Sequence, residues 1–161
     1  MRINDLLNDR SDLLSLGSVN SGRIAEAEQR LNLQFSPEYK SYVTEFGAVS
    51  FDGHELTGIS DAPALDVVAI TKEMRSFANV PDAWYVVENA QIDGIVFWQN
   101  NDGIIYRTMP CTKPQKVCNT LADYISMCKS SNFYKTALRI PDIFLIRLFT
   151  IRKDFITFHL L

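Results

Sequence analysis

Few residues of this sequence combine the types and the spacing that chemistry requires. The main candidate is the segment Asp52–Gly53–His54–Glu55, in which carboxylates flank an imidazole. Such a pair could serve acid–base catalysis or hold a metal ion. The other histidine, His159, lies far away in an apolar stretch at the end of the sequence. Because no second histidine lies near His54 and its loop leads into a predicted strand, we interpret it as part of an exposed turn and His159 as a structural residue.

The usual sequence signatures of enzymes and metal sites are missing. The sequence contains no GxSxG, GxxxxGK[ST], GxGxxG or HExxH motif. Its three cysteines, Cys111, Cys118 and Cys128, form no CxxC pair, and an odd number does not suit a disulfide framework. We therefore predict reduced thiols, no metal, no cofactor, no catalytic residue and a protein that is not an enzyme.

Charge points to a different kind of function. Residues 1–110 contain 8 Lys and Arg against 16 Asp and Glu, a net charge of −8, whereas residues 111–161 contain 8 against 3, a net charge of +5. Because nucleic acids are bound largely through Lys and Arg, the acidic part disfavours direct contact with nucleic acid and favours a basic protein partner.

Acidic residues at predicted loops and strand ends are either solvated turn residues or parts of an acidic docking surface. Trp98 is a further candidate, because it follows Phe97 in a predicted strand and adjacent residues face opposite sides. One of these two residues should be in the core, and an exposed Trp98 would be an interface anchor. The candidate partner-binding residues are Asp52, Glu55, Asp66, Glu88, Asp93, Trp98 and Asp102.

The elements that must position these residues follow from hydrophobic spacing and turn signals. Helices are predicted over residues 3–16, 23–31 and 37–46, from about Thr71, and after Thr120. Strands are predicted at VSF, ELTGI, WYVVEN, GIVFWQN and GIIYRT, with a short strand before Thr71. Asn101–Asp102–Gly103 predicts a hairpin that pairs residues 94–99 with 104–108, and residues 111–117 read as an irregular connection.

This order predicts an α+β domain with its helices on one side of the sheet: N-terminal helices packed on a mainly antiparallel, curled sheet, followed by a C-terminal helix and an apolar tail. A length of 161 residues suits a single domain spanning 1–161. The N-terminus lacks the apolar stretch of a secretory signal, and charges interrupt the apolar segment 140–161. We expect a cytoplasmic protein without a membrane segment.

Nine positions between residues 20 and 130 form an ordered series: Ile24, Glu28, Leu31, Pro37, Tyr39, Lys40, Gly47, Leu56 and Gly58. This series, rather than any one motif, resembles the signature of the SUKH superfamily. The resemblance covers residues 20–130.

The resemblance implies an α+β fold and a protein that binds other proteins. Many bacterial members are immunity proteins that neutralise toxins, often the nucleases of contact-dependent or other polymorphic toxin systems. Another member regulates yeast cell-wall synthesis, so the fold does not dictate one role. We therefore expect an immunity-type protein with a cognate toxin as its partner, and we keep a regulatory scaffold in a cell-wall or signalling pathway as the alternative.

The segment 132–161 has no counterpart in this resemblance. Its apolar spacing favours a helix, whereas its β-branched residues favour a hairpin, and an altered reading frame would also produce an unusual terminus. We predict that this tail is buried, either on its own sheet or across a homodimer.

Overall fold

The computed structural model describes residues 2–129. By its contacts the chain divides into two compact units, Met1–Ser126 and Met127–Leu161. The fold described below is that of the first unit. The last helix in it ends at Met127, one residue past the boundary between the units. The predictions of a helix, a hairpin or a dimer for residues 132–161 lie outside the described residues.

Within residues 2–129, seven strands form one antiparallel sheet in which each strand pairs with the next along the chain. The strands are β1 (Leu14–Ser15), β2 (Val49–Phe51), β3 (His54–Leu56), β4 (Tyr85–Asn89), β5 (Val96–Gln99), β6 (Ile105–Thr108) and β7 (Gln115–Cys118). The same residues contain helices α1 (Ile3–Asn8), α2 (Ser21–Leu31), α3 (Pro37–Phe46), α4 (Val67–Arg75) and α5 (Leu121–Met127). The predicted α+β class is confirmed.

Helix α3 forms as its sequence predicts. The Ser36 hydroxyl accepts a hydrogen bond from the Tyr39 N–H at 3.1 Å, and Pro37 occupies the first helical turn. The apolar residues recur at i, i+3, i+4 and i+7 on one side of this helix, and all four are buried: Tyr39, Tyr42, Val43 and Phe46. The helix predicted over 23–31 is also confirmed as α2, which begins two residues earlier because Asn20 caps it.

The hairpin of β5 and β6 has the predicted register. Phe97 pairs with Arg107 and Trp98 with Tyr106. The Asn100 side chain accepts a hydrogen bond from the Ile104 N–H at 2.8 Å across the turn, and Gly103 adopts the positive φ of 89° that closes it.

Three predicted boundaries are wrong: strand pairing changes two of them, and a helix cap changes the third. The first helix ends at Asn8, and residues of its predicted second half form β1 on the edge of the sheet. Helix α4 begins at Val67 instead of near Thr71, because the Asp66 carboxylate caps it by accepting from the Ala69 N–H at 3.0 Å. The connection predicted over 111–117 contains the start of β7, which pairs with β6.

Helices cover both faces of the sheet, so the expectation that they gather on one side is wrong. Phe97 packs on Tyr124 of α5, with ring centroids 5.0 Å apart. Its neighbour Trp98 lies on the other face, in a cluster with Ile70 of α4. Both Phe97 and Trp98 are therefore in the core, where the sequence predicted only one of them.

Aromatic side chains tie α3 to the sheet. The Tyr85 hydroxyl donates to the Gln99 side chain at 2.8 Å and accepts from the Ser36 N–H at 3.1 Å. Phe35 and Tyr39 contact the Tyr85 ring at centroid distances of 4.7 and 4.8 Å. Burial raises the pKa of Tyr85, so this hydroxyl stays protonated as a donor.

Candidate functional site

The structure separates the predicted partner-binding residues into three environments. Glu88 and Trp98 are inside the protein, with relative exposures of 2% and 0%. The prediction that Glu88 sits at a solvated strand end is wrong, because it lies within β4 and faces the core. An exposed Trp98 is likewise excluded, since α4 covers it and its indole N–H donates to the Thr108 hydroxyl at 2.8 Å.

Glu88 belongs to a buried polar cluster that the sequence did not reveal. Its carboxylate oxygens lie 2.9 and 3.1 Å from Nδ1 of His54, and one of them accepts a hydrogen bond from the Tyr124 hydroxyl at 2.6 Å. His54, Glu88 and Tyr124 come from β3, β4 and α5. The cluster therefore joins two adjacent strands to the helix that covers them.

The predicted exposed turn at His54 is wrong, because this residue is only 3% exposed. The alternation of β3 explains its burial: His54 and Leu56 point inward, and Glu55 points outward. Buried polar groups are costly unless they are paired, and these groups satisfy one another. The geometry fits a cluster that fixes how α5 sits on the sheet.

Asp66, Asp93 and Asp102 each have a local structural role. Asp66 caps α4 and is half-buried. Asp93 precedes β5 in a turn with a positive φ of 49°, which Asp tolerates better than most residues. Asp102 accepts a hydrogen bond from the Asn100 side chain in the turn at the other end of β5. The strand separates Asp93 from Asp102, so these two acids do not form one cluster.

Asp52 and Glu55 are both exposed at the end of the sheet formed by β1, β2 and β3. The pairing places Leu14, Ser50 and Glu55 side by side across β1, β2 and β3. Glu55 is exposed and Ser50 is half-exposed, in contrast to the buried residues that alternate with them. We call the residues Leu14, Leu16, Ser50 and Glu55 the outer β1–β3 face.

Two acids flank the outer β1–β3 face. The Asp12 carboxylate accepts a hydrogen bond from the Asp52 N–H at 2.7 Å, which brings the two acidic side chains to the same end of the face. Both residues are exposed. The structure therefore groups two of the predicted acids, Asp52 and Glu55, with apolar residues that the sequence did not single out. The sequence did not single out Leu14 and Leu16, because we predicted that both lie in a helix over 3–16.

Residues 2–129 fold as an α+β domain built on a seven-strand antiparallel meander. A family model described as SUKH_5, SMI1-KNR4 cell-wall, matches residues 2–128. The chain belongs to this family, as the resemblance implied, and the match begins before residue 20 because it includes α1 and β1. A search of the curated proteins found no match to this chain.

The residues that carried the resemblance have structural roles in this fold. The Glu28 carboxylate accepts from the Phe35 N–H at 2.7 Å and pairs with the Lys40 ammonium at 2.8 Å, so it fixes the loop between α2 and α3. Ile24 and Leu31 lie in the core. The family positions therefore specify the scaffold, and the choice of partner must depend on other surface residues.

Among residues 2–129, every helix is too short or too polar to cross a lipid bilayer.

Proposed function

We propose that this protein is an immunity-type protein that binds a cognate toxin domain, such as a nuclease, and blocks it without acting as an enzyme. The observation that carries the proposal is membership of the SUKH_5 family over residues 2–128. In such a mechanism, binding alone removes the toxin from its substrate, and no bond in either protein is made or broken.

The charge of the protein supports a basic partner. Residues 1–110 carry a net charge of −8. A negatively charged protein attracts a basic nuclease over distances of about 10 Å at ordinary salt, which raises the rate of association. The same charge repels nucleic acid. The protein would therefore inhibit a nuclease by binding the nuclease itself, and not by binding the nucleic acid that it cleaves.

The test is a titration of toxin activity with the full-length protein. The probe is the toxin domain that the proposal expects to be encoded directly beside this gene, with its activity followed as the protein is added. A binding inhibitor abolishes activity at one molecule per toxin and leaves the intact mass of the toxin unchanged. Inhibition at a small fraction of one equivalent, or a changed toxin mass, would instead indicate an enzyme.

Protection of cells completes this test. Cells that express the toxin domain should survive when they also express the wild-type protein. A wild-type protein that is folded but neither binds the neighbouring toxin nor protects cells would overturn the proposal.

The alternative is a non-enzymatic regulatory scaffold in a cell-wall or signalling pathway. The description of the family as cell-wall favours it. A deletion strain separates the two functions: loss of an immunity protein matters only when the toxin is present, whereas loss of a scaffold changes cell-wall integrity in its absence.

A further inference from the structure

The outer β1–β3 face carries most of the exposed apolar side chains in the described part of the chain. Among residues 2–129, only three large apolar residues are strongly exposed. Two of them, Leu14 and Leu16, lie on this face, and the third is Phe77. Leu14 is 71% exposed and Leu16 is 57% exposed. Single exposed apolar residues are ordinary, but two on one side of the same edge segment form a patch.

This patch lies where the described helices leave the sheet uncovered. Leu14 pairs with Ser50, and Ser50 pairs with Glu55, so the exposed residues form a row across three strands. Leu16 continues the pairing, since its N–H donates to the Ala48 carbonyl at 3.0 Å. The opposite side of β2 and β3 is buried in the core through Val49, Phe51, His54 and Leu56. The core packing on that side therefore fixes the positions of Ser50 and Glu55 in the row.

Acidic residues border the patch. Glu55 lies in the row itself, and Asp12 and Asp52 meet at its end. An apolar centre with a charged border is the usual anatomy of a protein interface. A partner that complements it needs an apolar side chain at its centre and Lys or Arg around it.

We infer that the outer β1–β3 face is the docking surface for the basic toxin domain; this inference rests on the proposed function. The leucines supply the apolar contact, and Glu55, Asp12 and Asp52 pair with basic residues of the toxin. Strand β1 has only two residues, so its edge offers few backbone hydrogen bonds to an added strand. Recognition therefore depends on side chains.

Calorimetric titration of the full-length protein with the toxin domain tests the inference. The test variants are Leu14→Ala/Leu16→Ala and Glu55→Lys, which change exposed side chains and should leave the melting temperature close to that of the wild type. Removal of the leucines should weaken binding by about tenfold or more, mainly through faster dissociation. Glu55→Lys should slow association, and the effect should shrink as salt rises.

Two matched controls keep the test specific. Phe77→Ala removes an exposed apolar side chain that follows α4, and Asp102→Lys reverses an exposed acid in the β5–β6 turn. Both should bind within about twofold of the wild type. An Asp102→Lys variant that binds as weakly as the β1–β3 variants would place the docking surface elsewhere and overturn the inference.

The other outcomes separate the inference from the function on which it rests. Wild-type-like binding by Leu14→Ala/Leu16→Ala overturns the docking surface but leaves the immunity function intact. A wild-type protein that dimerises, with the leucine variant monomeric and still binding the toxin normally, assigns the face to a second copy and also overturns the inference. Failure of the wild type itself to bind overturns the proposed function together with this surface.

Discussion

Gly58 approaches Gly47 so closely that a β-carbon added to Gly58 would lie 1.5 Å from the Gly47 carbonyl oxygen. Gly47 ends α3, and Gly58 follows β3, so two segments of backbone cross without room for a side chain. A β-carbon on Gly47 would in turn lie 2.4 Å from the Gly17 carbonyl oxygen. This column of glycines brings the start of β2 against the end of β3 and against the segment that follows β1.

Gly58→Ala should therefore destabilise the protein severely. The obstructing atoms are backbone and cannot move without displacing α3 or β3, so we expect a loss of at least about 3 kcal/mol in the free energy of unfolding. Urea unfolding followed by circular dichroism measures this loss. Gly22→Ala in α2 is the control: its β-carbon would meet only the Asn20 side-chain oxygen, at 3.2 Å, and the change should stay within about 1 kcal/mol. Equal stability of the two variants would contradict the close crossing.

Elements whose signals are local could be predicted from the sequence. The Ser36–Pro37–Glu38 start, the apolar spacing and Gly47 together determine α3, and each acts within one helix. The β5–β6 hairpin likewise depends on the turn at Asn100–Gly103 and on alternation in its own strands. The helix predicted after Thr120 is also confirmed as α5, and its signal is local, since the Thr120 hydroxyl accepts from the Asp123 N–H at 3.0 Å.

Features that depend on distant contacts could not be predicted. Strand β1 exists because Leu14 and Ser15 pair with β2, while their sequence alone suits a helix. Glu88 resembles any charged residue at a strand end until His54 and Tyr124 are placed beside it. Adjacent residues in a strand face opposite sides, but only the positions of α4 and α5 show that both sides of β5 are buried.

Glu38 caps a helix that lies far away in the sequence. Its carboxylate accepts from the N–H groups of Leu121 and Ala122, at 2.7 and 3.1 Å, so α3 supplies an anion to the first turn of α5. Glu38→Ala should lower the free energy of unfolding by about 1–2 kcal/mol, because these two donors lose their partner. Chemical denaturation measures the change.

Glu38→Gln is the matched control for the cap. Its amide keeps one acceptor oxygen but loses the charge that favours a helix N-terminus, so it should fall between the wild type and Glu38→Ala. Glu26→Ala, in an exposed position of α2, should cost less than either. A Glu38→Ala variant as stable as the wild type would show that the contact contributes nothing.

Replacing His54 should weaken the fold and leave partner recognition unchanged. His54→Ala leaves a cavity beside Phe51 and removes a partner from the buried Glu88 carboxylate, so we expect a loss of about 2–4 kcal/mol in stability. Toxin affinity measured well below the lowered melting temperature should match that of the wild type, because the ring does not reach the surface.

Tyr124→Phe perturbs the same buried cluster of His54, Glu88 and Tyr124, but to a smaller extent. It removes only the hydroxyl that donates to Glu88, and it should cost about 1–2 kcal/mol. A lost affinity in either variant at a temperature where it is fully folded would give the His54 cluster a direct role in binding.

The thiols at Cys111 and Cys118 should differ sharply in reactivity. Burial, with a smaller contribution from the nearby Asp123 charge, raises the pKa of Cys118 to about 12, and its thiol donates to the Thr120 carbonyl at 3.4 Å. Cys111 is exposed. Because alkylation requires the thiolate, only roughly one Cys118 in a thousand is reactive at pH 9. Iodoacetamide treatment at this pH, followed by peptide mass mapping, should label Cys111 well before Cys118.

The same shift makes stability depend on pH. A thiol whose pKa is raised on folding contributes stability that is complete below the unfolded pKa of 9.0 and is lost as pH rises toward about 12. Cys118→Ala should therefore lose stability with alkali less steeply than the wild type over this interval, whereas Cys111→Ala should follow the wild-type curve. Labelling of Cys118 as fast as Cys111 in the native protein, or identical alkaline curves for the two variants, would contradict the burial of this thiol.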